Sequence, residues 1–289
     1  MNLVINFSPL AIFLIMLGVG MSINIKDFIE VFKNFKILLI GLLSQIVILP
    51  LIGFLFAIFM PVDLVFKLGI ILITCVPSSV TSNYITKLVD GNIALSVSLT
   101  AITASLSFIT IPFILIIVAP VAIDEASIFQ ELDFIKMSLG LLSITSIPIF
   151  VGMVINIKFS IFVEKIKNIY SIFSLLLFII VIFAAWISEW NTIISLYKSI
   201  GFLVAALAVV ILIVSFTLVN LFNLSEANRK TIVIETFVQN AAMAIIVGGV
   251  TFGLNSGYLA IAALYALLQY KILLFLWAGD KIFKKLNKS

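Results

Sequence analysis

The chain has no histidine and a single cysteine, Cys75, among its 289 residues. Those shortages exclude a disulfide within the chain, a Cys/His metal cluster and every catalytic scheme that uses His as base. Charge is scarce as well: 10% of the residues are charged, against 63% hydrophobic, and the mean hydropathy is +1.34. A soluble domain of this length could not hide so much apolar surface, so the composition describes a polytopic, all-α membrane protein. No cleavable leader is expected, because Met1–Asn6 lacks a basic segment and leads straight into membrane-length apolar sequence. The net charge of +4 is modest and one-sided, a mark of topology and not of nucleic-acid binding. An intramembrane enzyme is not expected either, since the spans offer neither a nucleophile–base pair nor paired Asp residues.

At roughly 20 apolar residues per span, nine transmembrane helices are predicted. They lie near 7–23, 36–60, 64–87, 93–119, 134–156, 169–188, 199–222, 229–250 and 257–280. With the N-terminus outside, the cytoplasmic segments hold Lys26, Lys33, Lys36, Lys87, Lys158, Lys165, Lys167, Arg229 and Lys230, and the tail adds Lys281, Lys284, Lys285 and Lys288. The external loops hold Lys67, Lys136 and Lys198. Thirteen basic residues against three orient the chain N-out and C-in by the positive-inside rule. The longest external connection, 122–133, is acidic through Asp124, Glu125, Glu131 and Asp133; it concentrates cations at an outer mouth or is simply solvated.

Two spans depart from a uniform apolar pattern. Segment 64–87 contains Cys75-Val76-Pro77-Ser78-Ser79-Val80-Thr81-Ser82-Asn83, where Pro77 removes a backbone donor and the hydroxyl run competes for backbone bonds. A helix broken at mid-membrane is predicted there. The eighth span carries Glu235, Gln239 and Asn240 within six residues. An ionisable residue at the centre of a span costs roughly 2.5–3.5 kcal/mol on insertion scales and persists where it faces a cavity, an ion or a partner. The competing account of Glu235 is a carboxylate satisfied by neighbouring hydroxyls and amides. Spans 1–4 start outside and spans 6–9 inside, so the interrupted spans sit in corresponding places of two inverted halves, the pattern of a secondary transporter with its site at the midplane.

Further polar groups gather at that depth. Gln45 precedes Pro50 in the second span, Ser82 and Asn83 come from the third, and Ser96 and Thr100 share one face of the fourth. Glu235 and Gln239 share a face of the eighth. All supply oxygen, which suits a hard monovalent cation such as sodium and not zinc or copper. For Ser96 and Thr100 the alternative is hydroxyl pairs that glue helices together.

The run from Pro77 through Asn83 to Gly91-Asn92-Ile93-Ala94-Leu95-Ser96-Val97-Ser98-Leu99-Thr100, with Glu235-Thr236-Phe237-Val238-Gln239-Asn240 and Gln45 ahead of Pro50, resembles the bile acid:sodium symporter family over nearly the whole chain. The resemblance implies one transporter domain over 1–289. Its panel would be built from the spans near 7–23, 134–156 and 169–188, and its core, with two broken helices crossing, from 36–119 and 199–280. It implies two sodium ions. The first would use Ser82, Asn83, Ser96, Thr100 and Glu235; the second would use Gln45, Glu235 and Gln239 with the carbonyls of Thr236 and Val238. Asn240 would touch the substrate, with Ser79, Val80 and Thr81 lining the turn beside it. The family's usual Pro-Gly-Gly is Pro77-Ser78-Ser79 here, which bears on substrate identity more than on ion coupling.

The function so implied is sodium-coupled symport of a small organic anion of bile acid, pantoate or keto-acid type, by alternating access. The alternative is a proton-coupled or uniporting organic-anion carrier of the same fold. The resemblance to bacterial members implies a prokaryotic inner membrane, with lipid and a small anion as partners and no obligate protein partner. Lys271, in Gln269-Tyr270-Lys271-Ile272, departs from the family pattern. It either snorkels to the inner interface near Asp280 or lends its ammonium to an anionic substrate.

Overall fold

The computed structural model describes residues 2–60, 62–123, 129, 132–188, 190–252 and 258–286. Within them every element is a helix, joined by short turns and extended linkers, with one isolated bridge between Ser78 and Gln239. The order is α1 (Asn2–Ser22), α2 (Ile25–Lys33), α3 (Phe35–Phe59), α4 (Leu64–Cys75), α5 (Val80–Leu88), α6 (Ile93–Ala122), α7 (Phe134–Lys158), α8 (Ser160–Ser188), α9 (Trp190–Asn220), α10 (Glu226–Phe237), α11 (Ala241–Phe252) and α12 (Tyr258–Leu286).

Six helices among the described residues are long and apolar enough to cross a membrane: Phe35–Phe59, Ile93–Ala122, Phe134–Lys158, Ser160–Ala184, Trp190–Asn220 and Leu259–Leu276. The other three predicted spans take different forms. The span near 7–23 lies in α1, with a shorter apolar stretch over Pro9–Ser22. Those near 64–87 and 229–250 are each divided, into α4 with α5 and into α10 with α11. α8 and α9, starting at Ser160 and Trp190, each begin about two and a half turns before the predicted 169 and 199, because their polar first turns continue the helix past the apolar stretch. Of the acidic connection, Asp124, Glu125 and Glu131 lie outside the described residues, whereas Asp133 caps α7 by accepting from the N–H groups of Ile135 and Lys136.

Three of the long helices carry a π turn, over Ser44–Ile48 in α3, Ile114–Val118 in α6 and Leu142–Ser146 in α7. Each precedes a proline, Pro50, Pro120 and Pro148. Proline lacks the N–H of the regular ladder and its ring clashes with the carbonyl a turn earlier; widening that turn relieves both. Gln45 sits in the first of these.

Large apolar side chains cover the outside, with Phe202 73% and Phe275 79% exposed, while Glu235, Gln239, Ser82 and Ser96 are fully buried. That inside-out distribution is what a lipid solvent selects. α1 packs on α7 and α8, α4 on α3 and α12, and α9 on α12 and α10. Gly20 and Gly152 let α1 and α7 approach to backbone contact: a Cβ at Gly20 would fall 2.1 Å from Ile149 O.

Candidate functional site

α4 ends where Pro77 forces the preceding residue out of the helical region; Val76 is extended, with φ −80° and ψ 153°. α5 then starts on Ser79, whose Oγ accepts from Thr81 N–H. The second break has no proline or glycine. There Val238 turns extended and Asn240 restarts the helix, its Oδ1 accepting from Met243 N–H at 3.1 Å. The two breaks satisfy one another: Ser79 N–H donates to Val238 O at 3.2 Å and Asn240 N–H to Pro77 O at 3.0 Å. In hydrocarbon, freed backbone groups must find such partners inside the protein.

Glu235 lies one turn before this crossing. Its Oε1 accepts from Ser82 Oγ and Ser96 Oγ, each at 2.5 Å. Its Oε2 accepts from Ser78 Oγ at 2.5 Å and Thr100 Oγ1 at 2.9 Å. Four hydroxyls from α5, α6 and the first break thus converge on one carboxylate. They are crowded further: Ser82 Oγ is 2.6 Å from Ser79 O, and Ser96 Oγ is 2.7 Å from Asn83 Oδ1 and 3.3 Å from Thr86 Oγ1. A hydroxyl has one proton, so the cluster holds more close oxygen pairs than protons to bridge them. A hard monovalent cation suits such a set, because it takes several oxygens at once and requires no proton from any.

A second group of predicted residues lies on the other flank. Gln45 Oε1 and Nε2 and Gln239 Oε1 are buried without a hydrogen-bond partner among the described residues. Leaving such atoms unpaired costs about 1–3 kcal/mol each, and an amide oxygen is a good ligand for the same kind of ion. Gln239 Nε2 donates to Thr236 O at 2.5 Å, and Val238 O is held by Ser79 N–H, so both predicted carbonyl ligands accept hydrogen bonds here. Thr236 Oγ1 also pairs with Ser44 Oγ at 2.7 Å.

The predicted substrate residues are less uniform. A cavity of about 810 Å³ lies between α1, α2, α7 and α8 on one side and α5 and α6 on the other. Val80 lines it, beside Val97 and Lys87, and Lys26, Asn156, Tyr170 and Ser174 face it from the other elements. Ser79, Thr81, Asn240 and Lys271 do not line it. Thr81 Oγ1 is paired with Tyr270 Oη at 2.7 Å, Asn240 serves as the cap of α11, and Ser79 as the cap of α5. Lys271 is exposed on α12, and the Asp280 side chain lies outside the described residues.

Sequence reasoning passed over three groups that the structure brings in. Ser78 was visible only as a departure at a glycine position, Ser44 as a neighbour of Gln45, and Gln269 as an amide inside an apolar span. The last was the most legible signal, since a buried amide in a membrane helix needs a partner.

Residues 9–196, more than half of the chain, match the family described as Sodium Bile acid symporter family. Over 252 residues the chain is 26% identical to an uncharacterized sodium-dependent transporter, YocS, of Bacillus subtilis (strain 168), covering 82% of this chain and 72% of that one. It is 27% identical over 237 residues to the ileal sodium/bile acid cotransporter of Homo sapiens, covering 80% and 65%. It is 29% identical over 270 residues to sodium/bile acid cotransporter 4 of Homo sapiens, covering 91% and 60%. The chain therefore spans less than two thirds of the length of either human relative. These relatives are transporters and not enzymes, and the helices here are those of an integral membrane protein. With the crossing, the buried carboxylate and the match over 9–196 in agreement, the chain belongs to the sodium bile acid symporter family.

Proposed function

We propose that the chain is a secondary active symporter that couples sodium to the uptake of a small organic anion by alternating access. The observation that carries this reading is Glu235: a carboxylate buried in a membrane protein, held by four hydroxyls beside two crossing helix breaks. Two sodium ions are the coupling substrates. One is taken by Ser82, Asn83, Ser96, Thr100 and Glu235. The other is taken by Gln45, Gln239 and Glu235 with the carbonyls of Thr236 and Val238, a set supported by the unpartnered amide oxygens. Binding neutralises Glu235 and stiffens the crossing, which then accepts the anion beside Asn240, Ser79, Val80 and Thr81.

The chain is read as nine spans in two inverted halves, inserted N-out in a prokaryotic inner membrane. α1, α7 and α8 form the panel and the remaining spans the core; the mutual packing of α1 with α7 and α8 supports this division. The cavity lies where Lys26, Lys87 and Lys167 gather, on the side that the basic residues assign to the cytoplasm, so the conformation is read as inward-facing. Rocking of panel against core closes it and opens the other side.

Two sodium ions with a monoanion carry one net charge inward, worth about 2.3 kcal/mol per 100 mV. A tenfold sodium gradient adds about 1.4 kcal/mol per ion. Together these total about 5 kcal/mol, enough for accumulation by roughly three to four orders of magnitude. With a dianion the voltage contribution vanishes.

The test is uptake of organic anions into proteoliposomes under an inward sodium gradient, with sodium-dependent melting of the purified protein read in parallel. Wild type is expected to need sodium for both responses, and Glu235→Gln to fold yet lose both. Uptake that ignores sodium and follows a proton gradient would replace this reading with a proton-coupled carrier of the same fold.

A further inference from the structure

The eighth span breaks without proline or glycine, so something outside it must hold the break open. The rung to Pro77–Ser79 uses the carbonyl of Val238 and the N–H of Asn240. In extended backbone, neighbouring residues present their hydrogen-bonding groups to opposite sides. The N–H and C=O of Gln239 therefore face away from the first break, toward α12.

Gln269 meets them there. It is fully buried in α12, its Oε1 accepts from Gln239 N–H at 2.8 Å, and its Nε2 donates to Gln239 O at 3.3 Å. A primary amide offers an acceptor and a donor side by side, as a peptide edge does, so this one side chain stands in for a third strand at the crossing. Two tyrosines of the same helix flank it. Tyr265 Oη donates to Phe237 O at 2.9 Å, where α10 ends, and Tyr270 Oη pairs with Thr81 Oγ1 in the first turn of α5. Gln239 O has a second partner in Ala241 N–H at 3.0 Å, so the N–H is the half that depends on Gln269.

We propose that Gln269 is the positioning residue of the sodium-binding crossing: it fixes the backbone of Gln239, and through it the direction in which the unpartnered Gln239 Oε1 is presented. This rests on the sodium-coupled reading above. Gln239 Nε2 is already tied to Thr236 O, so the orientation of the side chain follows the backbone that Gln269 holds. If the clamp is removed, Gln239 N–H is left buried and unpaired, and the backbone of that one residue is free to turn between the rung bonds of Val238 and Asn240. The ligand oxygen moves away with it. Asn240, the proposed anion contact, keeps its own bonds to Pro77 O and Met243 N–H, and Val80 keeps its place on the cavity wall.

The test measures sodium activation of uptake, maximal rate and anion KM in proteoliposomes of wild type, Gln269→Leu and Gln269→Asn. The Leu variant removes the amide; the Asn variant keeps it but is one methylene too short to reach both backbone atoms. Gln269→Leu is expected to raise half-saturating sodium about tenfold or more, with maximal rate and anion KM at saturating sodium within about twofold of wild type. If the Leu variant does not fold, Gln269→Asn is expected to raise half-saturating sodium roughly three- to tenfold. Half-saturating sodium unchanged in the folded variants overturns the inference, as does an equal rise in anion KM, the mark of a generally loosened protein. Wild-type uptake indifferent to sodium would instead overturn the function on which the inference rests.

Discussion

Ser78 Oγ donates to Glu235 Oε2 at 2.5 Å, a bond from the first helix break to the span that carries the second. It also lies 3.0 Å from Thr100 Oγ1, which serves the same carboxylate oxygen. Ser78 and an incoming cation therefore offer the same thing to Glu235, a positive end directed at Oε2. A hydrogen bond to a charged group contributes about 1.5–3 kcal/mol.

Ser78→Ala is thus expected to lower the melting temperature in sodium-free buffer by several degrees, and by less in sodium, where the ion replaces the missing donor. The sodium-induced rise in melting temperature grows as a result. Equal losses with and without sodium would mean that Ser78 acts only as packing.

The α1–α7 contact makes a separate prediction about stability. A Cβ at Gly152 would fall 2.3 Å from Leu17 O, and one at Gly20 is equally blocked by Ile149 O; both neighbours are backbone and cannot swing aside. Gly20→Ala and Gly152→Ala should each cost about 1–3 kcal/mol, seen as earlier unfolding in a detergent melt. Gly140, in α7 as well, has no atom of the described residues within 4 Å of the added carbon. Gly140→Ala should be neutral or stabilising by about 0.5–1 kcal/mol. A destabilised Gly140→Ala beside an unaffected Gly20→Ala would contradict the packing described.

The two breaks differ in how far the residues reveal them. The first is written locally, since Pro77 and the hydroxyl run that follows stop a helix wherever they occur. The second is not: nothing in Phe237-Val238-Gln239-Asn240 forbids a helix. It is held open by the rung to Pro77–Ser79 and by Gln269, partners far away in the chain. That Ser96 and Thr100 share a face was legible from their spacing of four, whereas their gathering with Ser82 at Glu235 was implied only by the resemblance to the family. Ser78 was not legible, because its side chain belongs to the irregular turn and its direction follows from the crossing. Asn240 carries a second role that its position alone did not reveal: its Oδ1 caps α11 by accepting from Met243 N–H. Helix ends escaped for a simpler reason, that hydropathy marks the apolar stretch, whereas α8 and α9 extend beyond it into polar turns.

Lysines at two places test where the anion is recognised. Lys87 lies on the wall of the 810 Å³ cavity, on the same face of α5 as Val80 seven residues earlier, whereas Lys271 is exposed on α12 away from that cavity. Lys87→Met is expected to raise the anion KM about three- to tenfold, the effect of removing roughly 1 kcal/mol of attraction. Sodium-dependent melting should stay the same. Lys271→Met should leave transport kinetics unchanged. The reverse result would move the anion site to α12.

Cys75, the chain's single thiol, reports on the opposite side of the break. It ends α4, is 6% exposed, and borders a narrow crevice of about 10 Å³ shared with Gln45, Pro77 and Thr103. That volume holds about one water. The large cavity stops at Val80, beyond Pro77, so Cys75 and the cavity are separated by the crossing itself. In oriented vesicles, a small membrane-impermeant thiol reagent is expected to label Cys75 slowly, and from the face away from Lys87. Because rocking would open that face, conditions that favour the outward-facing form should accelerate labelling, while reagent applied on the Lys87 side stays ineffective. Rapid labelling through the Lys87 cavity would show that the crossed breaks do not seal the path, and alternating access around Glu235 would fail with it.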